Sequence, residues 1–489
     1  MALQLFNTLS GKTETFEPSE DKLVRMYSCG PTVYDYGHIG NFRTFIMVDL
    51  LRRFLRQSGY KLKHVMNITD VDDKIIRNAA QEHVDTRTYT QKYEQAFLED
   101  SRLLNLEPPE ILARATDHIA AMADFIAALE KKGYAYRTDD GSYYFRIAKF
   151  PAYGKLSKKD FAGMEDGARV DVDEYEKDNA RDFALWKAPK PGEAQWQTGI
   201  GPGRPGWHIE CSVMAMKYLG ESFDIHLGGE DLIFPHHENE IAQSESLTGK
   251  TFARFWVHVR FLLVEGKKMS KSLGNFYTLR DLILLGHKPS SIRYLLASVP
   301  YRQQLNFTFD GLKQAAESVR RLRDFKLRLE TDKLGETGSP EFANLAKDGL
   351  DKMRAALADD LNTAEVLAAI FEMARQANIA MDAGKLGKPE LAGLLRTLEQ
   401  FDAIFDVIRD NDAEKIREIA EWAKGQGKGG QLAINANHLS DTEIETLIAE
   451  RNAARKRRDF PRSDAIRKQL ADAGVILEDT KDGVRWKRA

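Results

Sequence analysis

Leu23-Val24-Arg25-Met26-Tyr27-Ser28 is a short apolar run that stops at Cys29-Gly30-Pro31-Thr32. That pattern predicts a buried strand ended by a Gly/Pro turn. Beyond it Phe45, Met47, Val48, Leu51, Phe54 and Leu55 recur near a 3.6-residue period, predicting a helix from about Asn41 to Gln57 closed by Ser58-Gly59. A second strand is predicted over 62–68, and strand, helix and strand at this spacing form one unit of a parallel α/β sheet. From about 85 to 132 the pattern reads as helical, with Phe97, Leu103, Leu104, Ile111, Ile119, Met122, Phe125, Ile126 and Leu129 as apolar markers. Tyr134 to Arg146 alternates and predicts a hairpin. Residues 152–204 turn polar and rich in Gly and Pro, and the sheet resumes at Phe223–Leu227 and Phe255–Val259. The stretch 115–205 therefore reads as an insertion. Amphipathic helices follow from Asp310 to about Arg409, then a flexible linker containing Lys424–Gly430 and a small terminal unit.

Length and composition narrow the class. At about 150 residues per domain, 489 residues suggest roughly three domains. A hydrophobic share of 43% beside 30% charged residues supports packed cores and excludes global disorder. No run of about 18 apolar residues could span a membrane, and the first residues lack a secretory pattern. The net charge of -3 provides no whole-protein basic field, so a polyanion site must be local. Two cysteines, Cys29 and Cys211, without an export signal point to a reducing, cytoplasmic compartment.

Two segments suit phosphate. Gly37-His38-Ile39-Gly40-Asn41 falls at the first strand-to-helix junction, where backbone N–H groups attract anions and glycines permit close approach. Taken alone it reads first as an ordinary turn with a capping Asn. Gly266-Lys267-Lys268-Met269-Ser270-Lys271-Ser272-Leu273-Gly274-Asn275 sets lysines and hydroxyls between glycines, as a mobile loop that brings ammonium groups to a triphosphate would require. A solvated basic turn would not explain why it recurs with the first segment.

A third set suits a metal. Cys29, Cys211 in Trp207-His208-Ile209-Glu210-Cys211, and His236 and Glu240 in Pro235-His236-His237-Glu238-Asn239-Glu240 supply two thiols, an imidazole and a carboxylate. Pro235 is a good first helical residue, which would set His236 and Glu240 at i and i+4 on one helix face. Soft donors favour zinc. Inert buried cysteines beside a solvated helix start are the competing reading. His237 is the weaker ligand candidate, because its i+4 position is Ile241; the same residue removes a zinc-protease motif.

His38-Ile39-Gly40-Asn41, with Asn in the last place, and Lys268-Met269-Ser270-Lys271-Ser272 resemble the two signatures of the class I aminoacyl-tRNA synthetases. With the cysteine-bearing segments and Asn67-Ile68-Thr69-Asp70-Val71-Asp72-Asp73-Lys74, the chain resembles the cysteinyl family among them over nearly its whole length. The resemblance implies an α/β fold: a Rossmann-like parallel-sheet catalytic domain (1–114 and 206–265) interrupted by a connective insertion (115–205). A mobile signature loop and stem (266–314), a helical bundle (315–423), a linker (424–440) and a mixed α/β anticodon-binding unit (441–489) follow. It also implies one Zn2+ per chain on Cys29, Cys211, His236 and Glu240, and Mg2+ with ATP.

The same resemblance implies residue roles. His38, Lys268 and Lys271 would stabilise phosphate charge. Gly37, His38, Gly40, Asn41, Gly228, Gly229, Asp231 and Lys271 would bind ATP, with Asp231 on the ribose, while Thr69 and Trp207 would meet the cysteine substrate. Asn41 should offer a donor and cap the helix. Cysteine and serine differ by one atom, which pocket shape discriminates poorly, whereas a metal prefers the soft thiolate. The insertion looks too short for an editing domain. In the terminal unit, Arg451, Arg455, Lys456, Arg457, Arg458, Arg462, Arg467 and Lys468 outnumber Glu450, Asp459 and Asp464, which suits RNA phosphates. Arg455, Asp464, Asp479 and Trp486 are candidate anticodon contacts. The expected partners are ATP, cysteine and tRNA(Cys), with no membrane, and the expected state is a monomer. A cut near Asp310 should spare amino-acid activation. Two rivals are a zinc-dependent ligase joining cysteine to an amino sugar, which should lack the bundle and basic terminal unit, and a non-catalytic RNA-binding paralogue, which should have lost signature lysines or metal ligands.

Overall fold

The computed structural model describes residues 2–159, 182–190, 193–427, 439, 441–480 and 483–488. Its centre is a parallel sheet of β1 (Leu23–Ser28), β2 (Lys61–Ile68), β3 (Ile111–Arg114), β4 (Phe223–Gly229) and β5 (Ala253–Val259), in the spatial order β5-β4-β1-β2-β3. Alternation along β1 divides the interior between two faces. Val24 and Met26 pack with the helix Ile39–Gln57, while Tyr27 and Cys29 pack with the helices Ile119–Lys131, Trp207–Leu219 and Glu238–Thr248. Buried on both faces, the strands read as apolar runs, as parallel sheets do. The chain runs outward from β1 to β2 and β3, then returns to β1's other side as β4. The carboxyl ends of β1 and β4 are thus the switch point where α/β sheets bind ligands.

Within the insertion, Ala135–Arg137 and Tyr143–Phe145 form the expected hairpin, extended by Phe183–Lys187, Trp196–Thr198 and Gly201–Pro205 into an antiparallel sheet. The expectation of helix from 85 to 132 needs correction. Helix Thr86–Leu103 ends before Pro108-Pro109, whose rings exclude a helical backbone, and Ile111–Arg114 becomes the edge strand β3. The first helix begins at Ile39, two residues earlier than its apolar period suggested.

The bundle helices Phe309–Thr331, Leu345–Ala358, Thr363–Asp382, Lys388–Phe405 and Asp412–Gly425 continue past Arg409. Their apolar faces belong to the same core as the sheet: Leu50, Ile283 and Leu296 form one cluster with Leu322, Phe401 and Ile419. A cut near Asp310 would therefore open this core, and the expectation that it spares activation is corrected. The terminal unit has its own small core of Ile444, Ile448, Ile466, Leu470 and Val475. It pairs helices Asp441–Lys456 and Phe460–Asp472 with the hairpin Val475–Thr480/Gly483–Arg488. Of the expected linker 424–440, only Lys424–Gly427 and Leu439 fall within the described residues. Among the described residues no helix is long and apolar enough to cross a membrane.

Arg293 joins sheet domain to bundle. Its guanidinium, 1% exposed, donates to Asp49 Oδ2 at 2.6 Å, Leu104 O at 2.8 Å and Ile404 O at 3.2 Å. Removing Arg293 would leave Asp49 paired with Arg53 at 2.8 Å but strip buried carbonyls of their donor, at about 1–3 kcal/mol for each group left unmatched. Arg293→Met is expected to lower the first thermal unfolding transition by several degrees; an unchanged midpoint in calorimetry would contradict this joint.

Candidate metal and nucleotide site

Cys29 follows β1 directly, and its N–H donates to Leu227 O of β4 at 3.1 Å. On the other side Gly30 N donates to Asn67 Oδ1 of β2 at 2.8 Å. Cys211 comes from the second turn of the helix Trp207–Leu219, and its sulfur lies 4.0 Å from Cys29 Sγ. His236 and Glu240 meet at 3.1 Å, Nε2 to Oε1. The ligand atoms of Cys29, Cys211, His236 and Glu240 lie within 4.8 Å of one another, and all four residues are buried.

The route to that geometry differs from the expected one. Pro235 follows a cis peptide bond in an irregular turn, Ile233–His237, in which Phe234 is extended at φ -141°, ψ 130°; the regular helix starts at Glu238. His236 thus reaches Glu240 from a turn and not along one helix face.

His237 also enters. Its Nε2 lies 3.3 Å from Cys29 Sγ, its Nδ1 2.8 Å from His258 Nε2, and His258 Nδ1 2.8 Å from Thr8 Oγ1. With His226, whose Nε2 sits 2.8 Å from Glu240 Oε2, it makes a second close set: Cys29, His226, His237 and Glu240. Ranking His237 by helix periodicity missed this contact, because it crosses between segments. His208 Nδ1 lies 2.9 Å from His236 Nδ1, and the exposed ring of Trp207 stacks on His236 with centroids 4.2 Å apart. Thr69 is buried, donating its hydroxyl to Glu210 Oε2 at 2.7 Å. Among the described residues Glu210 Oε1 has no hydrogen-bond partner, and burial pushes this carboxyl well above the usual range.

Burial also raises the Cys29 and Cys211 thiols and holds the His236 and His237 rings well below their usual value. In this low-dielectric pocket both thiols and these two rings are pushed toward neutrality, and a cation is the partner that would reverse the thiols. Two thiols, an imidazole and a carboxylate at this spacing fit a tetrahedral zinc set.

The nucleotide side lies beyond β1. His38, and not Asn41, is the N-cap: Asn41 N donates to His38 Nδ1, and Asn41 Oδ1 accepts from His38 N, both at 3.2 Å. Asn41 thus completes a capping box from the third helical position. Since Nδ1 accepts, the ring proton resides on Nε2 and remains available to an anion; burial lowers the ring's pKa to about 4. Gly40 packs under the second signature: a Cβ there would lie 3.0 Å from the His38 ring and 3.5 Å from Met269. The signature loop therefore touches the first helix turn. Lys268 is exposed and Lys271 pairs with Asp35 at 2.5 Å. Asp231 follows β4 beside Gly229, its carboxyl raised by burial and lowered by Lys268. Gly37 packs on Phe42, and Gly228 on His237.

In the terminal unit Arg455 and Asp464 lie exposed on the two helices. Trp486 packs on the unit's core and donates its indole N–H to Glu445 at 2.6 Å. Asp479 lies in the hairpin opposite Val484, its side chain outside the described residues.

Family models match three stretches: a tRNA synthetase class I (C) catalytic domain over 15–317, a DALR domain over 352–408, and a cysteinyl-tRNA ligase anticodon binding domain over 439–486. The chain is 68% identical to the cysteine–tRNA ligase of Koribacter versatilis over 494 aligned residues, covering 100% of both. It is 58% identical to that of Solibacter usitatus, again covering 100% of both. The chain belongs to the cysteine–tRNA ligase family. A methionyl-tRNA synthetase structure from Mycobacterium tuberculosis, with methionyl-adenylate, shares the fold at TM-score 0.57 and 16% identity, covering 84% of this chain and 93% of that one. Membership over the full length, with the terminal model included, leaves the amino-sugar ligase and the non-catalytic paralogue without support.

His226, His258, His208 and Glu210 are the residues that sequence reasoning missed, and His237 the one it ranked too low. His226 and His258 occupy strands, where a lone histidine reads as core. His38 is expected to stay neutral down to about pH 4. In 13C-histidine-labelled protein its Cε1 resonance should show no protonation shift between pH 8 and 5; a midpoint near the unperturbed 6.5 would contradict the buried, capped geometry.

Proposed function

We propose that this chain activates cysteine with ATP to cysteinyl-adenylate and transfers it to the 3′-terminal adenosine of tRNA(Cys), choosing its amino acid by sulfur. One observation carries the choice: ligand atoms of Cys29, Cys211, His236 and Glu240 gather within 4.8 Å of one another at the switch point. These four residues would hold one Zn2+. When bound, zinc would supply a soft Lewis acid that prefers a thiolate to an alcohol. His226 and His237 buttress Glu240 and Cys29 from behind, as outer partners of metal ligands do. Trp207 and Thr69 stand as walls for the amino acid.

Activation needs little covalent help from the protein. The substrate carboxylate displaces pyrophosphate from the α-phosphate in line, and the protein contributes positioning and neutralisation of charge. His38 donates its Nε2–H to a phosphate oxygen, and Lys271 brings its ammonium in with the loop, supported by Lys268. Gly37, Gly40 and Asn41 shape the anion seat at the helix N-terminus, and Gly228 and Gly229 let the nucleotide approach. Asp231 holds the ribose. Mg2+ accompanies ATP. In the manner of class I enzymes, the acyl group then passes to the 2′-hydroxyl.

The domain division follows the sequence reading, 1–114 and 206–265 catalytic, 115–205 inserted, 266–314 loop and stem, 315–423 bundle and 424–440 linker. The unit 441–489 meets the anticodon, with Arg455, Asp464, Asp479 and Trp486 as its contacts. The enzyme works as a cytoplasmic monomer.

Cysteine-dependent ATP–pyrophosphate exchange tests the selection. Preference over serine of about 10^4-fold is expected. In Cys211→Ser it should fall by at least the roughly 10–100-fold that losing an outer partner costs a metal site. A preference unchanged by Cys211→Ser or by a chelator would overturn the reading. Because the terminal unit has a core of its own, ending the chain after Gly427 should leave exchange near normal and abolish charging of tRNA; full charging by that fragment would remove the unit's role.

A further inference from the structure

Lys271 Nζ donates to Asp35 Oδ2 at 2.5 Å, across 236 residues of sequence. The partners differ in rigidity. Lys271 opens a short turn in the signature loop and its side chain is 66% exposed, against 32% for Asp35. Asp35 is fixed from behind, because its Oδ1 accepts Tyr36 N at 2.8 Å. Tyr36 in turn is walled in, edge-on to Tyr93 at 5.3 Å and to Trp422 of the last bundle helix at 5.6 Å. The Arg280 guanidinium lies 5.1 Å from the Tyr36 ring and 4.5 Å from Trp422, tied to Asp100 at 2.7 Å and Glu99 at 2.8 Å. Asp35 is thus a fixed carboxylate, and Lys271 a movable ammonium, on the rim of a cavity of about 340 Å³ between loop and wall.

Asp35 lies three residues before His38, so this resting place adjoins the phosphate seat. An ammonium bound to a carboxylate is less available to a triphosphate, and the two anions compete for one cation. We infer that Asp35 is a positioning residue that parks Lys271 at the mouth of the nucleotide site between turnovers, so that ATP draws the lysine off as the loop closes and departing product returns it. The inference rests on the assignment of Lys271 to phosphate.

The pair is largely exposed, and exposed pairs are worth about 0.2–1 kcal/mol, or roughly 1.4- to 5-fold in population. Only the free-lysine fraction is competent, so parking at that strength weakens apparent ATP affinity by one plus that ratio, about two- to sixfold. It is strong enough to hold an empty loop and weak enough for a triphosphate to break.

The test uses full-length, zinc-loaded enzyme. Asp35→Asn keeps the acceptor for Tyr36 N and removes the charge. Its ATP KM in cysteine-dependent exchange should fall by about two- to sixfold with kcat within about twofold, and trypsin should cut the nucleotide-free loop after Lys268 or Lys271 correspondingly faster. In a Lys271→Gln background, Asp35→Asn should change neither reading. An ATP KM that is unchanged or raised in Asp35→Asn, or shifted equally in both backgrounds, would overturn parking. Lys271→Gln alone must slow exchange; normal exchange there would instead remove the phosphate assignment on which parking rests.

Discussion

Cys29 is pinned from both sides. Its N–H is taken by Leu227 of β4, and the next residue is pressed against β2 so closely that a Cβ on Gly30 would lie 1.8 Å from the Asn67 carbonyl oxygen. Only glycine fits that contact, so the thiol leaves β1 at one place and in one direction. The other donors arrive from separate segments, Cys211 from a helix, His236 from an irregular turn and Glu240 from the helix after it. The site therefore depends on the sheet's switch point, where β1 and β4 end side by side.

The surroundings make this an expensive arrangement. Buried polar groups need partners, and here they are supplied in a chain: Thr8 to His258, His258 to His237, His237 to Cys29, with His226 on Glu240. Burial drives rings and thiols alike toward neutrality, so the pocket is poised to gain from a charge that the protein does not itself provide. The nucleotide end uses the opposite strategy. His38 is held neutral by burial, with its cap fixing the tautomer, while the lysines stay exposed on a loop and are available to move.

Much of this was legible in the sequence because the informative residues are local. The strand Leu23–Ser28, the glycine-flanked signatures and the four donors could be read directly, and the apolar period located the helix Ile39–Gln57 to within two residues. What failed was non-local. Ile111 carried a helical rhythm yet joined the sheet, since Pro108-Pro109 stop a helix and β2 offered an edge. The helix period misranked His237, whose contact with Cys29 crosses between segments. Histidines within strands look like core until the sheet shows what faces them. The join between sheet domain and bundle, through Arg293 and a shared apolar core, had no signature at all.

Sulfur recognition by a metal held on Cys29, Cys211, His236 and Glu240 is the central claim, and X-ray absorption at the zinc edge addresses it most directly. The account predicts two protein sulfurs per zinc in the free enzyme, a third on adding cysteine, and no change on adding serine. A sulfur shell that cysteine leaves unaltered would contradict it.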